Sequence, residues 1–283
     1  VVVDNNVIDK TGSDAIVLNG VSAPRIESNA AYDVGINSEG FAYFAGMWTG
    51  TVSKDALFQL NEVARVHRKS TNNFLCDAQA FDTDLGTIGT NIFQYNYTHD
   101  NAGGVLIMMW ENVPKTVIYR YNLSVNDDRQ TNSGSQFSIN PIQGMNEAYV
   151  YNNVIYSTLP LGYKFLDKQA SNFFNNIFYL TAATYPTLAT FSNNCYFGHE
   201  ANVNDPYRIM ADPKFVGPLP TTTGGDGFGA MTTDIFKLHS DSPCINAGKS
   251  ITTPVSNGGE DFWGDTLNPY AGGYADIGAQ EVV

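Results

Sequence analysis

Short runs of alternating apolar and polar residues recur along the chain, and each reads as a strand with one buried face. Four of these runs are entered from a small or polar residue: Ala80-Phe81-Asp82-Thr83-Asp84, Val105-Leu106-Ile107-Met108-Met109, Gln136-Phe137-Ser138-Ile139-Asn140 and Lys164-Phe165-Leu166-Asp167. After each comes an Asn followed by apolar or aromatic residues, as in Tyr95-Asn96-Tyr97, Tyr121-Asn122-Leu123, Asn152-Asn153-Val154 and Asn175-Asn176-Ile177. A further copy is Asn193-Asn194-Cys195, and weaker ones are Asn6-Val7-Ile8 and Asn61-Glu62-Val63.

The central apolar residue lies 15 positions before the Asn in the first pair (Phe81 to Asn96), 16 in the next two (Leu106 to Asn122, Phe137 to Asn153) and 11 in the last (Phe165 to Asn176). From each Asn to the next strand the spacing varies more: 10, 15 and 12. One steady part and one variable part, in units of about 25 to 31 residues, are what a coil with fixed strands and a variable loop produces. The steady Asn has a physical use there, because Asn tolerates left-handed backbone and its amide can bond the same group one coil away. A β-sandwich would not hold one residue type at one corner, and leucine-rich or helical repeats need a helical spacing of Leu or Ala that is missing. The pattern predicts parallel strands centred on Phe81, Leu106, Phe137 and Phe165, stacked in register with these side chains inside. From Asp205 onward, seven prolines interrupt any ladder, so residues 205–283 are expected to leave the regular coils of 1–204 and cap their C-terminal end within the same domain.

Composition supports strands over helices, being rich in Asn, Gly, Thr, Tyr and Phe, with only 15% charged residues. The formal charge of −13 opposes nucleic acid, whose binding is driven by Lys and Arg. The longest apolar run, Gly103 to Trp110, is too short to span a bilayer. Cys76, Cys195 and Cys244 are widely spaced and indicate neither a zinc site nor a disulfide framework. The sequons Asn96-Tyr97-Thr98 and Asn122-Leu123-Ser124 would matter only in a eukaryotic secretory host. Val1 to Ile8 already reads as strand and turn with no signal peptide, so the chain is expected to continue upstream into a longer precursor carrying the export signal and the N-terminal cap.

These Asn-turn repeats resemble the pectin-lyase-like family. The tail is similar to the C-terminal segment of many secreted members, in Asp212-Pro213-Lys214-Phe215, Ser242-Pro243-Cys244-Ile245-Asn246-Ala247-Gly248, Asp261-Phe262-Trp263-Gly264 and Asp276-Ile277-Gly278-Ala279-Gln280-Glu281. The resemblance implies an all-β, right-handed parallel β-helix (a solenoid) with an irregular C-terminal cap, and a secreted protein that meets a polysaccharide or oligosaccharide. It leaves the reaction open, because the superfamily includes lyases, hydrolases, esterases and adhesive proteins.

Candidate chemistry follows from alternation. Phe81, Thr83 and Leu85 fall on one face of their strand, and Asp82 and Asp84 on the other, about 6.5 to 7 Å apart along it. His99-Asp100-Asn101 one coil on and Asn126-Asp127-Asp128-Arg129 two coils on are expected on the same side, with Lys164 three coils on and Arg65, His67, Arg68 and Lys69 in the return loop before them. Asp82, Asp84, Asp100 and Asp127 are then the candidate catalytic residues, and His99, Asp128, Arg129, Lys164 and Arg68 the candidate substrate-binding ones. Each has a plainer reading: outward Asp is often a solvated face, Asp in turns caps its own backbone, and a lone His is often a structural hydrogen-bonder. Glu111 reads as a solvated turn residue, and the stripe Tyr95, Tyr97, Tyr119 and Tyr121 as core or ladder stacking.

Two carboxyl groups, one protonated and one not, make a glycoside hydrolase the first expectation. The alternatives are a polysaccharide lyase, with calcium on Asp82, Asp84 and Asp100 and a proton taken by Arg129, Lys164 or Lys69, and a non-enzymatic carbohydrate-binding or adhesive β-helix. No cofactor other than calcium is expected.

Overall fold

The computed structural model describes residues 1–37, 44–68, 77–84, 86–110, 115–127, 137–141, 147–159, 163–167, 171–185, 189–201, 204–220, 233–267 and 274–282; for Ile107, Met109, Trp110, 137–141 and 163–167 the backbone alone is described. Within these residues the chain is all-β, with three parallel sheets that it visits in rotation.

The first sheet contains β1 (Val2–Asp4), β4 (Arg25–Glu27), β7 (Leu57–Gln59), β10 (Gly89–Gln94), β13 (Lys115–Arg120), β16 (Glu147–Tyr151), β19 (Ser171–Phe174) and β22 (Thr190–Ser192). The second contains β2 (Val7–Asp9), β5 (Ala30–Val34), β8 (Glu62–Val66), β11 (Tyr97–His99), β14 (Leu123–Val125), β17 (Val154–Ser157), β20 (Ile177–Leu180) and β23 (Cys195–Phe197). The third contains β3 (Ile16–Asn19), β6 (Met47–Gly50), β9 (Gln79–Thr83), β12 (Gly104–Trp110), β15 (Phe137–Pro141), β18 (Tyr163–Asp167) and β21 (Ala183–Thr184). Each strand pairs with the strand three places on, so every circuit of the chain adds one rung to each sheet.

The expected register is found. Phe81 pairs with Leu106, Leu106 with Phe137, and Phe137 with Phe165. The same column runs back through Met47 to Ile16. Phe81 and Leu106 are fully buried; the side chains of Phe137 and Phe165 lie outside the described residues. The first sheet supplies an inner column of Ile26, Phe58, Phe93, Tyr119, Val150, Phe173 and Phe191. Phe58 and Phe93 stack with centroids 4.6 Å apart, and Phe58 meets Phe81 of the third sheet edge-on at 5.8 Å, which joins the sheets through one aromatic core.

The corner between first and second sheets is an amide ladder. Asn6, Asn29, Asn61, Asn96, Asn122, Asn153, Asn176 and Asn194 each donate Nδ2–H to the next side-chain oxygen, and the series ends on the carboxylate of Asp205. That oxygen also receives the backbone N–H of the previous Asn, so the corner satisfies buried backbone that no strand pairs. The left-handed backbone falls one residue earlier than expected, on Leu60, Tyr95, Tyr121, Asn152, Asn175 and Asn193. An Asn-Asn pair thus does both jobs, whereas Leu60 carries φ 57° with none of Asn's tolerance for it. The sequon asparagines Asn96 and Asn122 are ladder members at 0% exposure, closed to modification in the folded chain.

The described residues after Phe197 hold no strand and one short 3-10 turn, Thr233–Phe236. Part of this tail closes the end, with Ile209 bridging Cys195. The rest does something the expected end cap does not: it folds back along the flank. Phe236, Leu238, Cys244, Ile277 and Ala279 pack on Tyr97, Leu123, Val125, Val154, Tyr156 and Ile177 from the outer face of the second sheet. Arg120 donates to the Ser256 carbonyl at 2.6 Å, and Asn152 to the carbonyls of Asp276 and Gly278. Among the described residues, no helix is long and apolar enough to cross a membrane.

Candidate active site

The outer face of the third sheet gathers acids around β9. Met47, Thr49, Phe81 and Thr83 point inward and are buried, so alternation turns Trp48, Gly50, Asp82 and Asp84 outward. Trp48 is the direct neighbour of Asp82. Asp84, just past β9, donates its N–H to the Thr49 carbonyl at 2.9 Å, which sets it beside Gly50.

Asp82 is only 7% exposed. Burial raises its carboxyl well above the ordinary range, helped by the charges of Asp84 and Asp77 and opposed by Lys115. Its Oδ1 is buried and has no hydrogen-bond partner among the described residues. Asp77, at the entry to the strand, is half-buried; burial and then Asp84 push it up to about 7, against Arg68. Asp84 remains half-exposed. Lys115, at the start of β13, is buried and donates to the carbonyls of Thr83 and Asp84 at 2.9 and 3.1 Å, bracing the strand end. Asp14 stands in the turn before β3; its Oδ1 accepts Trp48 Nε1–H at 2.7 Å and the Ala45 N–H at 2.9 Å.

Of the expected site, Asp82, Asp84 and Arg68 are therefore brought together, and Asp77, Asp14, Lys115 and Trp48 join them. The alternation of Met47-Trp48-Thr49-Gly50 would have placed Trp48. Asp77 was hidden because Ala78 adopts φ 72° and breaks the alternation that reveals Asp82.

His99 and Asp100 lie elsewhere. His99 ends β11, and its ring is held on the second sheet between Glu62 Oε1 at 3.1 Å and Asp100 Oδ2 at 3.0 Å, stacked on Tyr97. Burial pulls the imidazole down, but its bonds to Asp100 and Glu62 outweigh that and hold its pKa raised. Arg65 and His67, expected in a return loop, flank this cluster and both bind Asp33; Arg65 is on β8 itself. The Asp82, Asp84 and Asp100 set that a calcium ion would use is consequently not assembled, and no group of three or more metal-ligating side chains occurs among the described residues.

Asp127 turns inward. At 0% exposure it accepts from Thr98 and Ser124 hydroxyls at 2.6 and 2.7 Å and from both nitrogens of Asn101, forming a second corner ladder. Burial pushes it up to about 6 despite those donors. Asp128, Arg129, Lys69 and Glu111 lie outside the described residues, as does the side chain of Lys164 on β18.

No known protein-family profile matches the chain. A lacto-N-biosidase of Bifidobacterium longum subsp. longum, a glycoside hydrolase, is 29% identical over 319 residues, an alignment that covers 99% of this chain. The chain spans 18% of that enzyme's length.

Proposed function

We propose that the chain is a right-handed parallel β-helix of the pectin-lyase-like kind, part of a secreted glycoside hydrolase whose reaction centre is the acid cluster on the third sheet. One observation carries the reading: at the third-sheet strand β9, burial and the charge of Asp84 push the pKa of Asp77 to about 7, and Asp82, with one unsatisfied oxygen, lies between them in sequence. A group with a pKa near the working pH is half protonated there, which suits a general acid. Asp77 protonates the leaving glycosidic oxygen, and Asp84 serves as base or nucleophile toward the anomeric carbon. Burial, and after it the charge of Asp84, keeps Asp77 protonated, and Asp82, raised further still, stays neutral beside them. The lacto-N-biosidase likeness supports the same class of bond.

The test is a substrate screen with this chain, using para-nitrophenyl lacto-N-bioside together with plant, algal and microbial polysaccharides. New reducing ends or released nitrophenol support hydrolysis. Ultraviolet absorbance of an unsaturated uronate product would replace the reading with elimination, and no reaction on any substrate would favour a binding or structural role.

A further inference from the structure

Trp48 carries features that core packing alone does not require. It is partly exposed on the outer face of the third sheet, directly beside Asp82. Its indole N–H, the only polar atom it has, is tied back to Asp14 at 2.7 Å. The six-membered ring lies over Gly50: a Cβ there would stand 2.7 Å from Trp48 Cζ3 and 2.8 Å from Asn19 Oδ1. Gly50 has no left-handed backbone to explain it, so the glycine serves space. The result is an indole laid along its own strand, one strand spacing, about 4.8 Å, from the strand that bears Asp82 and Asp84.

We propose that Trp48 is a sugar-stacking platform that receives a neutral pyranose ring next to the bond that is cut, an inference that rests on the hydrolase reading for the word "cut" but not for binding. The axial C–H groups of a pyranose carry small positive charge and suit the negative face of an indole. Stacking leaves the ring's hydroxyl edge toward the neighbouring strand that bears Asp82 and Asp84. The ring is neutral because a uronate carboxylate there would meet the charges of Asp84, Asp77 and Asp14 that act around Asp82. Asp14 holds the plate in position through the indole nitrogen and does not touch the sugar.

The experiment compares parent, Trp48→Ala, Trp48→Phe and Gly50→Ala on para-nitrophenyl lacto-N-bioside, with thermal melting to confirm folding. Trp48→Ala should raise KM at least tenfold with kcat within about threefold of the parent; Trp48→Phe should raise KM only about threefold. Gly50→Ala, which crowds the indole but leaves every acid in place, should raise KM as well. In parallel, Asp84→Asn protein is titrated with lacto-N-biose and with trigalacturonate while tryptophan fluorescence is followed. Quenching by the neutral sugar that disappears in Trp48→Phe, with none from the uronate, supports the platform. An unchanged KM in folded Trp48→Ala and Trp48→Phe would overturn it, and so would equal quenching by trigalacturonate. Should no variant hydrolyse anything while the quenching persists, the hydrolase reading falls and the platform stands; should hydrolysis proceed with KM unmoved, the reverse holds.

Discussion

The carboxyl of Asp127 at the second corner and that of Asp82 on the third sheet are both buried, at 0% and 7% exposure, and both have raised pKa values, yet their surroundings differ in kind. Asp127 sits among four donors from Thr98, Ser124 and Asn101 and closes a rung of backbone. Asp82 sits among other acids, with one oxygen unsatisfied. Burial and a raised pKa are common to structural and functional carboxyls. What separates them is whether the protein itself supplies the hydrogen bonds, because a buried group left unsatisfied costs stability that a purely structural residue has no reason to forgo.

The sharpest break of this comparison is in stability. Asp127→Ala leaves four buried donors without an acceptor, and should destabilise the chain by about 3 kcal/mol, given roughly 1 to 3 kcal/mol for each buried group left unmade and incomplete additivity. Asp82→Asn, an isostere of the protonated acid, should change stability by less than about 1 kcal/mol. Denaturant unfolding of the two variants checks both, and equal losses would erase the distinction.

A pH titration sharpens it further. Asp127 and Asp77, with folded values of about 6 and about 7, and Asp82, raised in the same direction, keep protons in the folded chain that the unfolded chain has released. Unfolding in that window releases protons, so these three groups make stability fall as pH rises from about 4 to about 7. Turnover has a different signature: the acid must be protonated, so kcat should decline about tenfold per pH unit above about 7. A pH profile of kcat that stays flat from pH 6 to 9 would remove Asp77 as the acid.

How much of this was legible depended on whether side-chain period or circuit geometry decided the matter. The third-sheet register from Phe81 to Phe165, the ladder asparagines and the outward turn of Asp82 and Asp84 follow from period-two alternation and a fixed spacing, both visible in the residues. Asn29 bonds Asn61 like any other rung, but Ala30-Ala31 follows it in place of large apolar residues, so the sequence carries no motif there. His99 and Asp100 fall on a different face from Asp82 because β11 belongs to the second sheet and β9 to the third, which sequence spacing alone does not reveal. Asp127 faces inward to accept from Asn101, and among the described residues that corner ladder has two members, too few to register as a repeat. The tail's backward course depends on the apolar outer face of the second sheet, where Leu123, Val125 and Ile177 would otherwise be exposed; its prolines reveal irregularity but not direction.

The ladder corner offers the smallest test of the same satisfied-versus-unsatisfied logic. Leu60 is 53% exposed with φ 57°, in the place where Asn152, Asn175 and Asn193 stand further along. Leu60→Asn should stabilise the chain by about 1 kcal/mol, since a branched residue in left-handed backbone costs about 1 to 2 kcal/mol, and thermal melting reads the gain.

The most direct measurement of the central claim compares kcat for Asp84→Asn and Asp100→Asn on a substrate that the parent chain hydrolyses. Both acids were drawn from one sequence pattern, but Asp84 stands on the third-sheet face with Asp77 and Asp82, whereas Asp100 is bonded to His99 on the second sheet. Losing a catalytic base or nucleophile should lower kcat by about two orders of magnitude or more in Asp84→Asn, with Asp100→Asn within about threefold of the parent. Full activity in Asp84→Asn, or the large loss in Asp100→Asn instead, would contradict a reaction centre on the third sheet.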